Sequence, residues 1–247
     1  MKFSGATNKG VVRKENQDSY TIRKIENTED HLAIICDGMG GANAGGFASR
    51  IANREFCSVF CADYKPGMDA QTVKALLVSA ASAANRVVYE YSAYNAELAG
   101  MGTTLVGGLV RDDGECFFVN IGDSRAYLFN PRDNALQQLS TDHSLVNEMV
   151  LAGLISPEEA AVHPKKNVIT RAVGTEAGVT PDFFTFTMEA GSAVLLCSDG
   201  LINAVPAEFI KKQLSRSGSA ERQVSALINE TLKNGAPDNV TVIVIRY

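Results

Sequence analysis

The chain has 247 residues, of which 45% are hydrophobic and 21% charged, with a formal net charge of -5. These proportions describe a folded globular chain with a sizeable core and exclude disordered and fibrous classes. An acidic balance without any run of Lys and Arg excludes nucleic acid as the main partner, because a surface that tracks phosphates needs clustered cations. No apolar stretch reaches the length of a membrane span. The start, Met1-Lys2-Phe3-Ser4-Gly5-Ala6-Thr7-Asn8, lacks the apolar core of a signal peptide. The expectation is a cytoplasmic protein with no membrane partner.

In chain order, strand-like apolar runs occupy residues 20–25 and 32–36. A helix follows over residues 44–64, with Phe47 and Ile51, then Phe56 and Phe60, at four-residue steps. A second helix carries Val73, Leu76, Leu77, Ala80, Ala84, Val87, Val88 and Tyr91 as one apolar stripe. Strand patterns return at residues 103–110, 116–121 and 125–129. Ser156-Pro157-Glu158-Glu159 supplies a helix cap, a first-turn proline and a glutamate that closes a capping box. Strands at 183–188 and 193–197 precede a helix that Ser219 opens, with a stripe of Val224, Leu227, Ile228 and Leu232. Gly235 and Pro237 end it before a last strand over residues 239–247.

No linker, repeat or shift of composition interrupts this order, so residues 1–247 read as a single domain. Strands in succession, broken by helical pairs, predict stacked antiparallel sheets with helices outside, a layered α/β fold. The even strand–helix alternation of a Rossmann-type fold is missing. Cys36, Cys116 and Cys197 lie in strand-like runs as small buried hydrophobes. Cys57 and Cys61, four apart on a helix with no histidine nearby, read as reduced thiols.

The chemistry lies in a recurrence. Three apolar strands run into an aspartate followed by a small residue: Ile34-Ile35-Cys36-Asp37-Gly38, Val119-Asn120-Ile121-Gly122-Asp123-Ser124 and Leu195-Leu196-Cys197-Ser198-Asp199-Gly200. Asp238 immediately precedes the last strand, and Asp18 stands just before residues 20–25. One Asp-Gly after a strand is an ordinary turn signal. Several carboxylates gathered at strand ends repel one another and resist desolvation, and divalent cations remove that objection. Oxygen ligands select hard ions such as Mg²⁺ or Mn²⁺, and His31, His143 and His163 show no metal-binding spacing.

The ordered set Arg13-Lys14-Glu15-Asn16-Gln17-Asp18-Ser19-Tyr20, Asp37-Gly38-Met39-Gly40-Gly41, Gly102-Thr103-Thr104, Gly122-Asp123-Ser124-Arg125-Ala126-Tyr127, Thr141-Asp142-His143-Ser144, Ser198-Asp199-Gly200-Leu201 and Pro237-Asp238-Asn239-Val240-Thr241 spans nearly the whole chain. It resembles the bacterial branch of the metal-dependent protein phosphatases of type 2C. The resemblance implies an α-β-β-α arrangement: two stacked antiparallel sheets flanked by helical pairs, with a metal centre at one end. It implies Mn²⁺ or Mg²⁺ as cofactor, two core ions and a weaker third. By the same resemblance Asp37 bridges two ions, the carbonyl of Gly38 binds one of them, and Asp199 and Asp238 bind the other. Asp123, together with Asp199, matches the third site. Asp18 matches a position that orders water at the ions, and Arg13 the residue that grips the substrate phosphate. Asp37, Asp199, Asp238 and Asp18 are thus the expected catalytic residues.

Many eukaryotic relatives place a histidine where Met39 stands, which leaves the general acid unassigned; His143 is the nearest candidate by motif, though its expected role is structural, orienting the segment that follows Asp142, and a metal-bound water is the other candidate. Residues 145–173 correspond to the family's flap and contain Asn167 and Arg171, with Leu145, Val146, Met149 and Val150 as an apolar helix face. The implied function is hydrolysis of phosphoserine and phosphothreonine in proteins, opposing a bacterial Ser/Thr kinase, by a monomer whose partners are phosphorylated proteins. The alternatives are a phosphatase dedicated to one regulatory protein, and an inactive relative that binds phosphoproteins.

Overall fold

The computed structural model describes residues 1–41 and 44–247. The strands are β1 (Lys2–Asn8), β2 (Asp18–Lys24), β3 (His31–Met39), β4 (Gly102–Thr103), β5 (Leu105–Val110), β6 (Glu115–Ile121), β7 (Arg125–Asn130), β8 (Ala135–Gln138), β9 (Asp182–Thr187), β10 (Ala193–Cys197) and β11 (Val240–Arg246). The α-helices are α1 (Ala44–Asp63), α2 (Ala70–Tyr94), α3 (Leu145–Leu151), α4 (Pro157–Val162), α5 (Asp199–Ile202), α6 (Ala207–Ser215) and α7 (Ala220–Lys233). The strands form two sheets, ordered β1-β11-β10-β7-β8 and β2-β3-β5-β6-β9, with β4 paired to β3; every pairing is antiparallel.

Side-chain alternation builds the layers. On β3, Ala33 and Ile35 point between the sheets, against Val194, Leu196, Ile243 and Ile245. Leu32, Ile34 and Cys36 point the other way, into a core shared with Phe56 and Phe60 of α1 and Leu77 and Ala84 of α2. On the far side, Leu195, Val242 and Val244 meet Ile210 and Leu214 of α6 and Val224 and Leu227 of α7. The result is the expected α-β-β-α sandwich. The cysteines are free thiols, all but Cys61 buried.

Two strands have no counterpart in the sequence patterns, β1 and the short β8. The run at residues 103–110 is two strands, β4 and β5, divided at Thr104. There the backbone turns aside: the Thr104 N–H donates to the Asp37 carbonyl (2.8 Å), and the Asp37 N–H donates to Thr104 Oγ1 (2.9 Å). The Ser156 capping box forms as expected.

Candidate metal centre

Parity places the acidic residues. Tyr20 and Ile22 of β2 pack between the sheets, so Asp18, two residues earlier, shares that inner face. Asp37 does so for the same reason, following Ala33 and Ile35 on β3. Opposite them, Ser198 continues the inner face of Val194 and Leu196, and Thr241 that of Ile243 and Ile245. Asp18 Oδ2 accepts hydrogen bonds from Ser198 Oγ (2.8 Å) and Thr241 Oγ1 (2.6 Å), joining the two sheets at one end of the sandwich. Asp18 is only 7% exposed, and its Oδ1 is buried with no hydrogen-bond partner among the described residues.

Two glycines bring the remaining carboxylates close. A Cβ on Gly200 would stand 1.9 Å from the Asn239 carbonyl oxygen, so only glycine lets the Asp199 turn lie against the Asp238 loop. A Cβ on Gly38 would stand 2.1 Å from the Gly45 carbonyl oxygen, so the Asp37-Gly38 turn is packed against the start of α1. Asn239 pins the Asp238 loop further. Its Oδ1 accepts from the Gln17 N–H (2.8 Å), and its Nδ2 donates to the carbonyls of Lys9 (2.8 Å) and Glu15 (2.9 Å).

The electrostatics follow from this crowding. Burial, and then the Asp18 carboxylate, push Asp37 well above the usual carboxylate range. Burial and the Asp123 carboxylate raise Asp199 to about 7. Burial and Asp142 raise Asp123 to about 6. Asp18 is raised by burial against the opposing hydrogen bonds of Thr241 and Ser198. Arg13 Nη2 donates to Asp238 Oδ2 at 2.6 Å while the arginine side chain stays 54% exposed.

These residues suit hard divalent cations. The donors are all oxygen, the carboxylates resist ionisation without added positive charge, and a buried oxygen of Asp18 lacks a donor. Among the described residues no three carboxylate, imidazole or thiol groups close into a ready cage around one point. The arrangement is open, as suits ions that keep several waters and take few protein ligands.

His143 is not placed as a proton donor. It is 6% exposed, its Nδ1 accepts from the Gly122 N–H (3.0 Å), and its Nε2 lies 3.1 Å from Asp182 Oδ2 and 2.9 Å from Arg171 Nη1. Burial lowers its pKa, so the ring is neutral near pH 7 and braces the turn that carries Asp123. Arg171 also binds Asp182 (2.8 Å), a structural role. Asn167, by contrast, lines a cavity of about 550 Å³ between α3, α4 and the carboxylates Asp123 and Asp199. Val146 of the apolar α3 face is buried, and Val146 and Val150 line the same cavity.

Several residues here have roles the sequence did not announce. Thr104 clamps the backbone of Asp37, Ser198 and Thr241 hold Asp18, and Asn203 Nδ2 donates to Asp199 Oδ2 (3.1 Å). Only Asn203, four residues after Asp199, is near its aspartate in sequence; Thr104, Ser198 and Thr241 come from distant stretches of the chain.

The protein phosphatase 2C family model matches residues 11–234. The serine/threonine phosphatase stp of Listeria monocytogenes is 34% identical over 240 residues, covering 97% of this chain and 93% of that protein. The crystal structure of serine/threonine phosphatase Stp1 from Staphylococcus aureus superposes with a TM-score of 0.91 at 36% identity, covering 99% of this chain and 94% of the other. The catalytic domain of serine threonine protein phosphatase PstP, solved with 2 manganese ions, gives a TM-score of 0.83 at 32% identity, covering 98% and 96%. A match of this extent, over a fold and an acidic centre of this kind, means that the chain belongs to the protein phosphatase 2C family.

Proposed function

We propose that this protein serine/threonine phosphatase hydrolyses phosphoserine and phosphothreonine at the sandwich end where Asp18, Asp37, Asp123, Asp199 and Asp238 gather. The observation that carries the reading is the gathering of buried carboxylates at one end of the sandwich, Asp18 opposite Asp37 across the ladder and Asp18 held from the other sheet by Ser198 and Thr241, with Arg13 on Asp238 beside them. Asp37, the Gly38 carbonyl, Asp199 and Asp238 would hold two core ions, and Asp123 with Asp199 a weaker third, with Asp18 in support. When bound, the divalent cations supply Lewis acidity, neutralising the phosphoryl group and activating water.

The chain's own groups do the rest. Arg13, exposed and anchored through one nitrogen to Asp238, presents its remaining donors to phosphate oxygens as a fork. Asp18 is fixed by two hydroxyls, so its free Oδ1 is oriented before substrate arrives. Met39 offers no proton to the leaving oxygen. The flap, residues 145–173, bounds the cavity beside Asp123 and Asp199, and moves to select substrate proteins.

Mn²⁺ is supported by the manganese-bound PstP relative, and Mg²⁺ fits the same oxygen donors. Residues 1–247 act as one catalytic domain and as a monomer in the cytoplasm, on phosphoproteins made by a Ser/Thr kinase. Among the described residues no helix is long and apolar enough to cross a membrane. The test is phosphate release from a phosphothreonine peptide with Mn²⁺, with chelator, and with Asp199→Asn. Release lost in both of the latter supports the reading; release that persists in chelator overturns it.

A further inference from the structure

A second polar site lies along the seam between β2 and α1, on the face of β2 opposite the catalytic carboxylate of Asp18. Ser19, Thr21 and Arg23 alternate toward the helix, where Arg50, Asn53, Arg54 and Cys57 meet them around a cavity of about 350 Å³. No carboxylate lines this cavity, and none of Arg23, Arg50 and Arg54 forms an ion pair among the described residues. In a chain with a formal charge of -5, three guanidinium groups line this one cavity, and a carboxylate, that of Glu26, lines the adjoining cavity with Arg23 and Arg54.

The cavity wall also holds unspent donors. Asn53 is 5% exposed; its Oδ1 accepts from Thr21 Oγ1 (2.6 Å) and Cys57 Sγ (3.7 Å), while its buried Nδ2 has no partner. Ser19 Oγ is likewise buried without one. A buried amide N–H left unmade costs stability, and both of these donors belong to residues that line the cavity.

We infer that this seam binds a phosphoryl group, that of a second phosphorylated residue in the segment whose first is being hydrolysed. A phosphate dianion offers three acceptor oxygens to guanidinium forks and neutral donors, and its charge answers more than one arginine. Arg50 leans toward the catalytic end, since a Cβ on Gly46 would stand 3.1 Å from Arg50 Nη1 and 3.6 Å from the Asn16 carbonyl oxygen. With a strand rise of about 3.3 Å per residue, the stretch from Asp18 to Arg23 spans about 17 Å, the reach of about five residues of extended substrate. The identity of the ligand rests on the phosphatase reading; the anion site itself does not.

Two measurements on the full chain test this. In chelator, with Arg13→Ala to remove the catalytic phosphate grip, calorimetric affinity for inorganic phosphate should fall at least about tenfold on adding Arg50→Ala and Arg54→Ala. Unchanged affinity overturns the site. With Mn²⁺, a phosphothreonine peptide carrying a non-hydrolysable phosphonate four or five residues away should show a KM about tenfold below that of the single phosphopeptide. Arg50→Ala with Arg54→Ala should erase that advantage without altering turnover of the single phosphopeptide. An advantage that survives the double substitution overturns the assignment of the ligand. If neither peptide is turned over by the unaltered protein, the phosphatase reading fails, and phosphate binding still decides the site.

Discussion

Asp18 and Asp37 stand directly opposite each other in the antiparallel ladder of β2 and β3, both on the inner face of the sandwich. Like charges facing across a ladder oppose folding unless protons or cations intervene. Asp37→Asn should therefore raise the melting temperature of the chelated protein. The same change should abolish the Mn²⁺-induced gain in melting temperature and lower phosphate release at least about 100-fold. Thermal unfolding with and without Mn²⁺, beside an activity assay, reads all three. A chelated variant less stable than the parent would mean that the pair is hydrogen-bonded rather than repulsive.

Metal-free stability should fall with pH. Asp199, at about 7, and Asp123, at about 6, lie above their ordinary 3.8 in the folded chain. Their contribution is complete below the ordinary carboxylate range and is lost as pH rises through those values. His31 and His143, lowered by burial from 6.5, oppose this slope until their unfolded forms have lost their protons, so the fall is read between about pH 7 and 8.5, where Asp37, raised well above the usual carboxylate range, adds to it. The chelated protein should lose a few degrees of melting temperature across this window, at about 2–4 °C per kcal/mol for a chain of this size. Saturating Mn²⁺ should flatten the slope, since ions then replace the protons.

Arg13 should act on substrate binding. Arg13→Ala should raise KM for a phosphopeptide about tenfold or more with little change in kcat. Arg13→Lys should recover little, because the fork is lost with the guanidinium. Since Arg13 occupies Asp238 Oδ2, the Mn²⁺ concentration for half-maximal activity should not rise in Arg13→Ala.

Gly200→Ala drives a methyl group into the Asn239 carbonyl, 1.9 Å from the Cβ position. Overpacking of this kind costs about 1–3 kcal/mol, and here it also parts Asp199 from Asp238. Activity should fall further than the folded fraction does. Gly178→Ala, with open space at its Cβ position, serves as the neutral control.

What the sequence disclosed and withheld has a physical pattern. Strands buried on both faces, such as β3, β10 and β11, announce themselves as apolar runs, and the aspartates at their ends could be read with them. β1 could not: Lys2-Phe3-Ser4-Gly5-Ala6-Thr7-Asn8 has little apolar pattern, and Gly5 is there because a Cβ would stand 2.7 Å from the Tyr20 ring. β8 is short and half polar. The hydroxyls that hold Asp18 lie 180 and 223 residues away along the chain, so no local spacing could assign them. His143 was legible as a motif residue, and only its buried ring contacts with Gly122 and Asp182 resolve its part in the fold.

The placement of β11 between β1 and β10 has a consequence for biosynthesis. β1 leaves the ribosome long before its hydrogen-bonding partner β11, Val240–Arg246, is made. Through most of translation β1 is an unpaired edge, and Asp238, just before β11, has yet to join Asp37 and Asp199. On the proposed site, the nascent polypeptide should therefore be inert toward the phosphoproteins around it until β11 emerges, and a chain cut short before Val240 should show no partial activity.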